Sequence, residues 1–321
     1  MRVLVTGAGG FVGRALVEHL CLNPALQIVA GLRCAGKCSA GPAVEMLELG
    51  DLAQGGLDAA VLRGTAVIVH CAARVHVLAE RNSDPLQAFR QVNVQGTLGL
   101  AQAAVQAGVK RFVFISTVKV NGEETVAGSS FRADDRPAPV DPYAISKFEA
   151  EQGLLQLASE TGLEVVIVRP PLVYGPGVGA NFLSMMTWLS KGWPLPLGAI
   201  DNSRSLVALP NLVDLIECCL AHPAAANQVF LVSDGEDLSS SELLRRVASA
   251  LRRPARLLPV PAWLLRSLAT MLGRQDMGQR LCGSLRVDMA KTYQRLGWCP
   301  PVSSAIALQQ AVDYFLERQS A

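Results

Sequence analysis

The run Thr6-Gly7-Ala8-Gly9-Gly10-Phe11-Val12-Gly13 joins a short apolar segment, Arg2 to Thr6, to the first stretch of helical periodicity, Val12 to Leu20. Glycines at positions 7, 10 and 13 permit a tight turn, close backbone approach to a ligand, and close packing of helix on strand. A helix that opens directly after such a turn offers unpaired N–H groups and a positive dipole end to phosphate. We therefore expect Gly7, Gly10, Phe11, Val12 and Gly13 to cradle the pyrophosphate of a dinucleotide, with the spacing GxxGxxG.

Beyond the turn, strand and helix signals alternate. Continuous apolar runs occur at Gln27–Leu32, Glu45–Leu49, Ala66–Cys71, Arg111–Ser116 and Glu164–Arg169. Between them lie helical patterns, including Pro85–Ala107 and Pro142–Thr161. Unbroken apolar strands alternating with helices imply parallel βαβ units, and the right-handed crossover rule makes them a doubly wound α/β sheet of the Rossmann type. After Arg169 the texture changes: Pro and Gly crowd the stretch from Pro170 to Pro196, and strand-like Ser205–Leu209 and Val229–Val232 recur among helices. We expect a dinucleotide-binding domain over residues 1–169, rejoined by the chain around 205–232, and a smaller, mainly substrate-binding domain over 170–321.

Composition removes other classes. In 321 residues, 29 Lys and Arg stand against 27 Asp and Glu, and only 5% are aromatic, which leaves neither a basic footprint nor stacking platforms for nucleic acid. The most apolar stretch, Leu257 to Leu272, is broken by Pro259, Pro261 and Arg266, so no membrane span is expected. The residues before the first strand have neither the apolar stretch nor the cleavage site of a secretory signal, so none is expected, and the eight cysteines form no CxxC pair and no zinc spacing with the four histidines. Reduced thiols, a cytoplasmic location and no metal site are the expectation.

The end of the second strand should select the ribose. The run Ala30-Gly31-Leu32-Arg33 has no acid for a free 2′-hydroxyl but carries Arg33, which suits a 2′-phosphate, so NADP is favoured over NAD. Asp51-Leu52 follows the third strand and fits an adenine contact. Ala72-Ala73 follows the fourth and supplies small side chains where backbone passes the cofactor. Tyr143 and Lys147 stand four apart on one helical face, so that the ammonium can stabilise a phenolate and bring it toward proton transfer near neutrality.

These motifs come in one order with Asn93 in Val92-Asn93-Val94-Gln95-Gly96-Thr97, Ser116-Thr117 closing a strand, and Tyr174-Gly175-Pro176. Together they resemble, over essentially the whole chain, an extended short-chain dehydrogenase/reductase of the nucleotide-sugar epimerase/dehydratase group. The resemblance implies Tyr143 as acid/base, Lys147 on the nicotinamide ribose, Thr117 on the reacting sugar oxygen, and Pro170 beside the cofactor. It makes Asn93 a residue that steadies its helix or a relay water. On the substrate side it implies Asn181 near a diphosphate, Arg204 on the nucleotide half, Arg280 as a second phosphate contact, and Arg74, His76 and Ser116 near the sugar. It also implies a homodimer built on the helices Pro85–Ala107 and Tyr143–Thr161, where Ile145, Phe148, Leu154, Leu155 and Leu157 exceed one sheet-facing stripe.

Two departures narrow the chemistry. Members that eliminate water follow the catalytic Thr with Asp-Glu, whereas Val118-Lys119 stand here, so a 4,6-dehydratase is not expected. Leu172 takes the place of an asparagine near the substrate phosphates, and Lys119 reads as a solvated lysine. With Arg33 pointing to NADPH, the expectation is hydride transfer at C4 of a UDP-linked hexose: reduction of a UDP-4-keto-6-deoxy-hexosamine for surface polysaccharide such as O-antigen. A UDP-hexose or UDP-HexNAc 4-epimerase is the alternative, and an idle dinucleotide-binding protein a distant one.

Overall fold

In the computed structural model, residues 1–34, 44–75, 84–273 and 275–320 are described. Seven strands, β1 (Arg2–Thr6), β2 (Gln27–Leu32), β3 (Glu45–Glu48), β4 (Val67–His70), β5 (Arg111–Ile115), β6 (Glu164–Arg169) and β9 (Gln228–Leu231), form one sheet in the order β3-β2-β1-β4-β5-β6-β9. Every pairing is parallel. The strand order reverses between β1 and β4, which places a crevice at their carboxyl ends, where ligands of open α/β sheets bind.

Both faces are covered, as continuous apolar strands require. On one face, α1 (Phe11–Leu20) and α6 (Leu209–Ala221) bury Leu16, Leu20, Leu212 and Ile216. On the other, α3 (Thr97–Gln106) and α4 (Pro142–Thr161) bury Leu100, Ala104, Ala150 and Leu154. Proline at its first position and Asp141 as N-cap start α4, and Gly162 in the left-handed conformation ends it.

The helix expected over Pro85–Ala107 is not continuous. It runs as α2 (Pro85–Arg90), a wide π-type turn over Gln91–Gly96, and α3. The wide turn presents the Asn93 amide, which takes an N–H from Arg74 at 2.8 Å and donates to the Arg74 carbonyl at 3.1 Å and to Ser146 Oγ at 3.0 Å. Such bulges often mark functional positions, and this one ties the loop after β4 to α4.

A second sheet has the order β10-β8-β7, from β7 (Leu172–Tyr174), β8 (Arg204–Ala208) and β10 (Asp237–Leu238). Thus Ser205–Ala208 lies here, and the chain rejoins the large sheet through β9. Helices α5 (Ala180–Ser190), α7 (Ser240–Ala250) and α11 (Ser304–Ser320) enclose the smaller core around Tyr174, Phe182, Leu206 and Val247. Helices α8 (Ala262–Met271), α9 (Gln275–Cys282) and α10 (Ala290–Leu296) complete the chain. Among the described residues, no helix is long and apolar enough to cross a membrane.

Candidate active site

The glycine turn is built as a cradle. Gly7 has φ +68°, and a Cβ there would stand 2.7 Å from the Ala72 nitrogen; a Cβ on Gly13 would stand 2.2 Å from the Gly7 carbonyl oxygen. Only glycine fits either place. Gly10 caps α1 without a side-chain hydrogen bond, so the first-turn N–H groups face the crevice with no capping oxygen. That arrangement fits a dinucleotide phosphate. Phe11 and Val12 are partly buried beside it, as are Ala72 and Ala73. Asp51 is exposed, and its carboxylate accepts from the Ala53 N–H at 3.1 Å; the neighbouring Leu52 backbone lies against Gly96. Arg33 is exposed just beyond β2.

Tyr143 and Lys147 both stand on α4, over the carboxyl end of β5. Lys147 is 1% exposed, and its Nζ lies 3.8 Å from the centre of the Phe114 ring. Burial pushes its pKa down to about 7, against an opposing pull from Glu151. The unfolded chain therefore holds a proton here that the folded chain resists between about pH 7 and 10.5, so the destabilisation grows as pH falls through that window. Lys147→Met should accordingly raise the melting temperature of the cofactor-free protein at neutral pH, with the gain vanishing toward pH 10.5. A loss of stability at pH 7 in thermal unfolding would contradict this.

The phenol departs from the sequence expectation. Burial, and then the negative charge of Asp141, push Tyr143 up to about 12 in the cofactor-free protein. Lys147 does not bring it toward neutrality: burial weakens the lysine's own hold on a proton, and the charge that acts on the phenol is that of Asp141. The Phe89 ring of α2 stands edge-on to Tyr143 at 6.0 Å between centroids.

Thr117 caps the short turn Val118–Val120, and its Oγ1 accepts from the Lys119 N–H at 3.3 Å. Ser116, expected near the sugar, instead points inward: it is 4% exposed and donates to Glu151. Its backbone N–H pairs with the Val168 carbonyl at 2.8 Å, which seats it inside the sheet rather than on its rim. Pro170 is buried, and its carbonyl accepts from the Val118 N–H at 2.9 Å. Lys119 is not a solvated lysine. Its Nζ binds Asp141 and, at 3.0 Å, Glu123.

On the substrate side, Asn181 is exposed at the start of α5. Arg204 and Arg280 are brought together: Arg204 Nη1 donates to the carbonyls of Arg280 and Gly283, each at 3.0 Å, and burial draws the Arg204 guanidinium down. Arg280 itself is exposed. The Arg74 backbone is held by Asn93, whereas His76 lies outside the described residues.

Sequence reasoning missed the layer beneath the site. Glu151 follows Lys147 by one further helical turn, a spacing that could have exposed it. It forms a buried ion pair with Arg169, at 2.5 Å, whose Nη1 donates to Asn121 Oδ1 at 3.1 Å. His70, ending the apolar β4, bridges Thr6 at 2.7 Å and Thr97 at 3.0 Å, and burial, then Lys147, push it down to about 3, so it is a neutral strut.

The chain has a match among protein families: residues 3–233 fit the NAD dependent epimerase/dehydratase family. The chain belongs to that family. Within it, the chain is 46% identical over 316 residues to a UDP-glucose 4-epimerase of Vibrio cholerae, covering 98% of this chain and 95% of that one. It is 26% identical to the N-acetyl-alpha-D-glucosaminyl-diphospho-ditrans,octacis-undecaprenol 4-epimerase of Escherichia coli, covering 97% and 94%. Among solved structures it resembles a double mutant of DesIV, a dTDP-glucose 4,6-dehydratase of Streptomyces venezuelae, with NAD and DAU bound. That likeness has a TM-score of 0.79 and 29% identity, over 100% of this chain and 98% of that one. As a member of this epimerase/dehydratase family, the chain is an NAD-dependent enzyme acting on nucleotide sugars.

Proposed function

We propose that the protein is a UDP-hexose 4-epimerase, the alternative rather than the first expectation of the sequence reading. The observation that carries this is the 46% identity to the Vibrio cholerae UDP-glucose 4-epimerase across nearly both chains. In this reading the cofactor supplies a hydride acceptor and donor for C4 of the sugar. Gly7, Gly10 and Gly13, with the N–H groups of Phe11 and Val12, hold its phosphates. Tyr143 takes the C4 hydroxyl proton when the 4-keto sugar forms and returns a proton when the hydroxyl is restored. Thr117 steadies the C4 oxygen, and Lys147 holds the nicotinamide ribose. Arg204, backed by the Arg280 carbonyl, and Asn181 meet the nucleoside diphosphate. Purified enzyme given UDP-glucose without added cofactor should form UDP-galactose, read by NMR. No interconversion by correctly folded enzyme would defeat the reading.

Reduction of a UDP-4-keto-6-deoxy-hexosamine is the second reading, favoured by one residue. Arg33 at the end of β2, with no acid nearby in that strand, suits NADPH, which a reductase consumes and releases. If Arg33 meets a 2′-phosphate, Arg33→Asp should weaken NADPH by roughly tenfold more than NADH in a calorimetric titration, since a carboxylate repels phosphate. Equal weakening would place Arg33 in solvent and remove this reading. We further propose a homodimer on α2, α3 and α4. Leu154 is spent inside the protomer's own core, but Ile145, Phe148 and Leu157 remain partly exposed and Leu155 is exposed.

A further inference from the structure

Val118-Lys119 stand where the sequence analysis places the Asp-Glu of members that eliminate water, yet Lys119 is held with more care than a spare lysine would be. Its ammonium lies between two carboxylates, Asp141 and Glu123, and all three side chains keep only 21–30% exposure. Asp141 also acts through its other oxygen, which accepts from the Ala144 N–H at 2.6 Å and so caps α4 two residues before Tyr143. Lys119 likewise follows Thr117 by two residues and gives its N–H to Thr117 Oγ1. One ammonium thus links the segment carrying Thr117 to the helix end carrying Tyr143.

We propose that Lys119 is a positioning residue for the hydride-transfer site: it clamps Asp141 and Glu123, fixes the first turn of α4, and cancels the negative charge nearest the Tyr143 phenol so that this phenol can release its proton. The proposal rests on Tyr143 being the acid/base. The charged groups at this end of α4 are Asp141, Lys147 and Glu149 on the helix itself, Lys119 and Glu123 on the segment after β5, bound to Asp141 and to each other, and Arg90 of α2, which is paired with Glu149 at 2.5 Å. The backbone of Arg74 reaches the site through Asn93. Of these, Asp141 is the one whose charge opposes the phenolate. Burial works to raise the Asp141 carboxyl, but its hydrogen bonds with Lys119 and the Ala144 N–H prevail and hold it below its ordinary value. The carboxylate is therefore ionised wherever the enzyme works, and its effect on Tyr143 depends on what covers it.

The test uses opposite signs. In Lys119→Met, the uncovered Asp141 carboxylate should move the Tyr143 titration up by about one pH unit, read as the Tyr143-dependent phenolate absorbance with Tyr143→Phe as the blank. The acidic limb of the kcat profile should move with it, so that turnover falls about tenfold near neutrality and recovers at higher pH. Asp141→Asn keeps an N-cap but removes the charge, and should move both the titration and the acidic limb down. Lys119→Met combined with Asp141→Asn should return them close to the wild-type position, and Lys119→Arg should stay there. A purely structural lysine would instead lower turnover by one factor at every pH and leave the phenol's titration in place, which would overturn the proposal. If Lys119→Met does not fold, Lys119→Gln takes its place with the same expected upward shift, and an unmoved titration in it overturns the proposal. Should the wild type fail to epimerise any UDP-hexose while the titration still moves as stated, the functional reading falls and the positioning role stands.

Discussion

Replacing Tyr143 by Phe is expected to lower turnover roughly 10²–10⁴-fold while cofactor binding is retained, because only proton transfer is removed. The ring keeps its edge contact with Phe89, so packing is little changed. The cost should be large because no other described group near Thr117 is placed to do the same work. Lys119 is bound to two carboxylates, Ser116 is turned inward to Glu151, and His70 is enclosed between Thr6 and Thr97. Steady-state turnover beside a cofactor titration separates the two effects. Unchanged turnover would remove Tyr143 from the mechanism, and lost cofactor binding would make it a binding residue.

The largest expected effect on stability lies one layer deeper. The Arg169–Glu151 pair keeps 4% and 2% side-chain exposure, and Glu151 also receives Ser116. Arg169→Met leaves the Glu151 carboxylate dry and without its ion-pair partner, which costs about 3–5 kcal/mol. Thermal unfolding should show a fall of about 6–10 °C, since a domain of this size moves roughly 2 °C per kcal/mol. Arg169→Met with Glu151→Gln should recover part of the loss, because the orphaned charge is then removed. A fall under about 1 kcal/mol would mean that water reaches the pair.

The large sheet was legible because its strands, the exposed edge strand β3 (Glu-Met-Leu-Glu) apart, are short apolar runs bounded by turns, and parallel burial on both faces demands that texture. The cradle was legible for a steric reason: Gly7 and Gly13 stand where a Cβ would meet backbone. Tyr143 and Lys147 showed themselves through a spacing that the helix makes local. The features that stayed hidden depend on distant partners. Strand β7 has three residues and β10 two, and each exists by pairing with β8. The wide turn at Asn93 has no local punctuation, and its amide is satisfied by Arg74 and Ser146. Lys119 read as solvated because nothing in its own segment announces Asp141, which arrives from the cap of a later helix. The phenol's acidity was misjudged for a related reason: spacing locates an ammonium but says nothing of the burial that weakens it.

An epimerase of this kind takes hydride from C4 and returns it to the same carbon within one enzyme molecule. UDP-glucose carrying deuterium only at C4 should therefore be turned by the purified enzyme into UDP-galactose that keeps its deuterium at C4, even with excess unlabelled reduced cofactor in solution. Washing out of the label, or a failure to form UDP-galactose while a UDP-4-keto-6-deoxy-hexosamine consumes NADPH one for one, would contradict it.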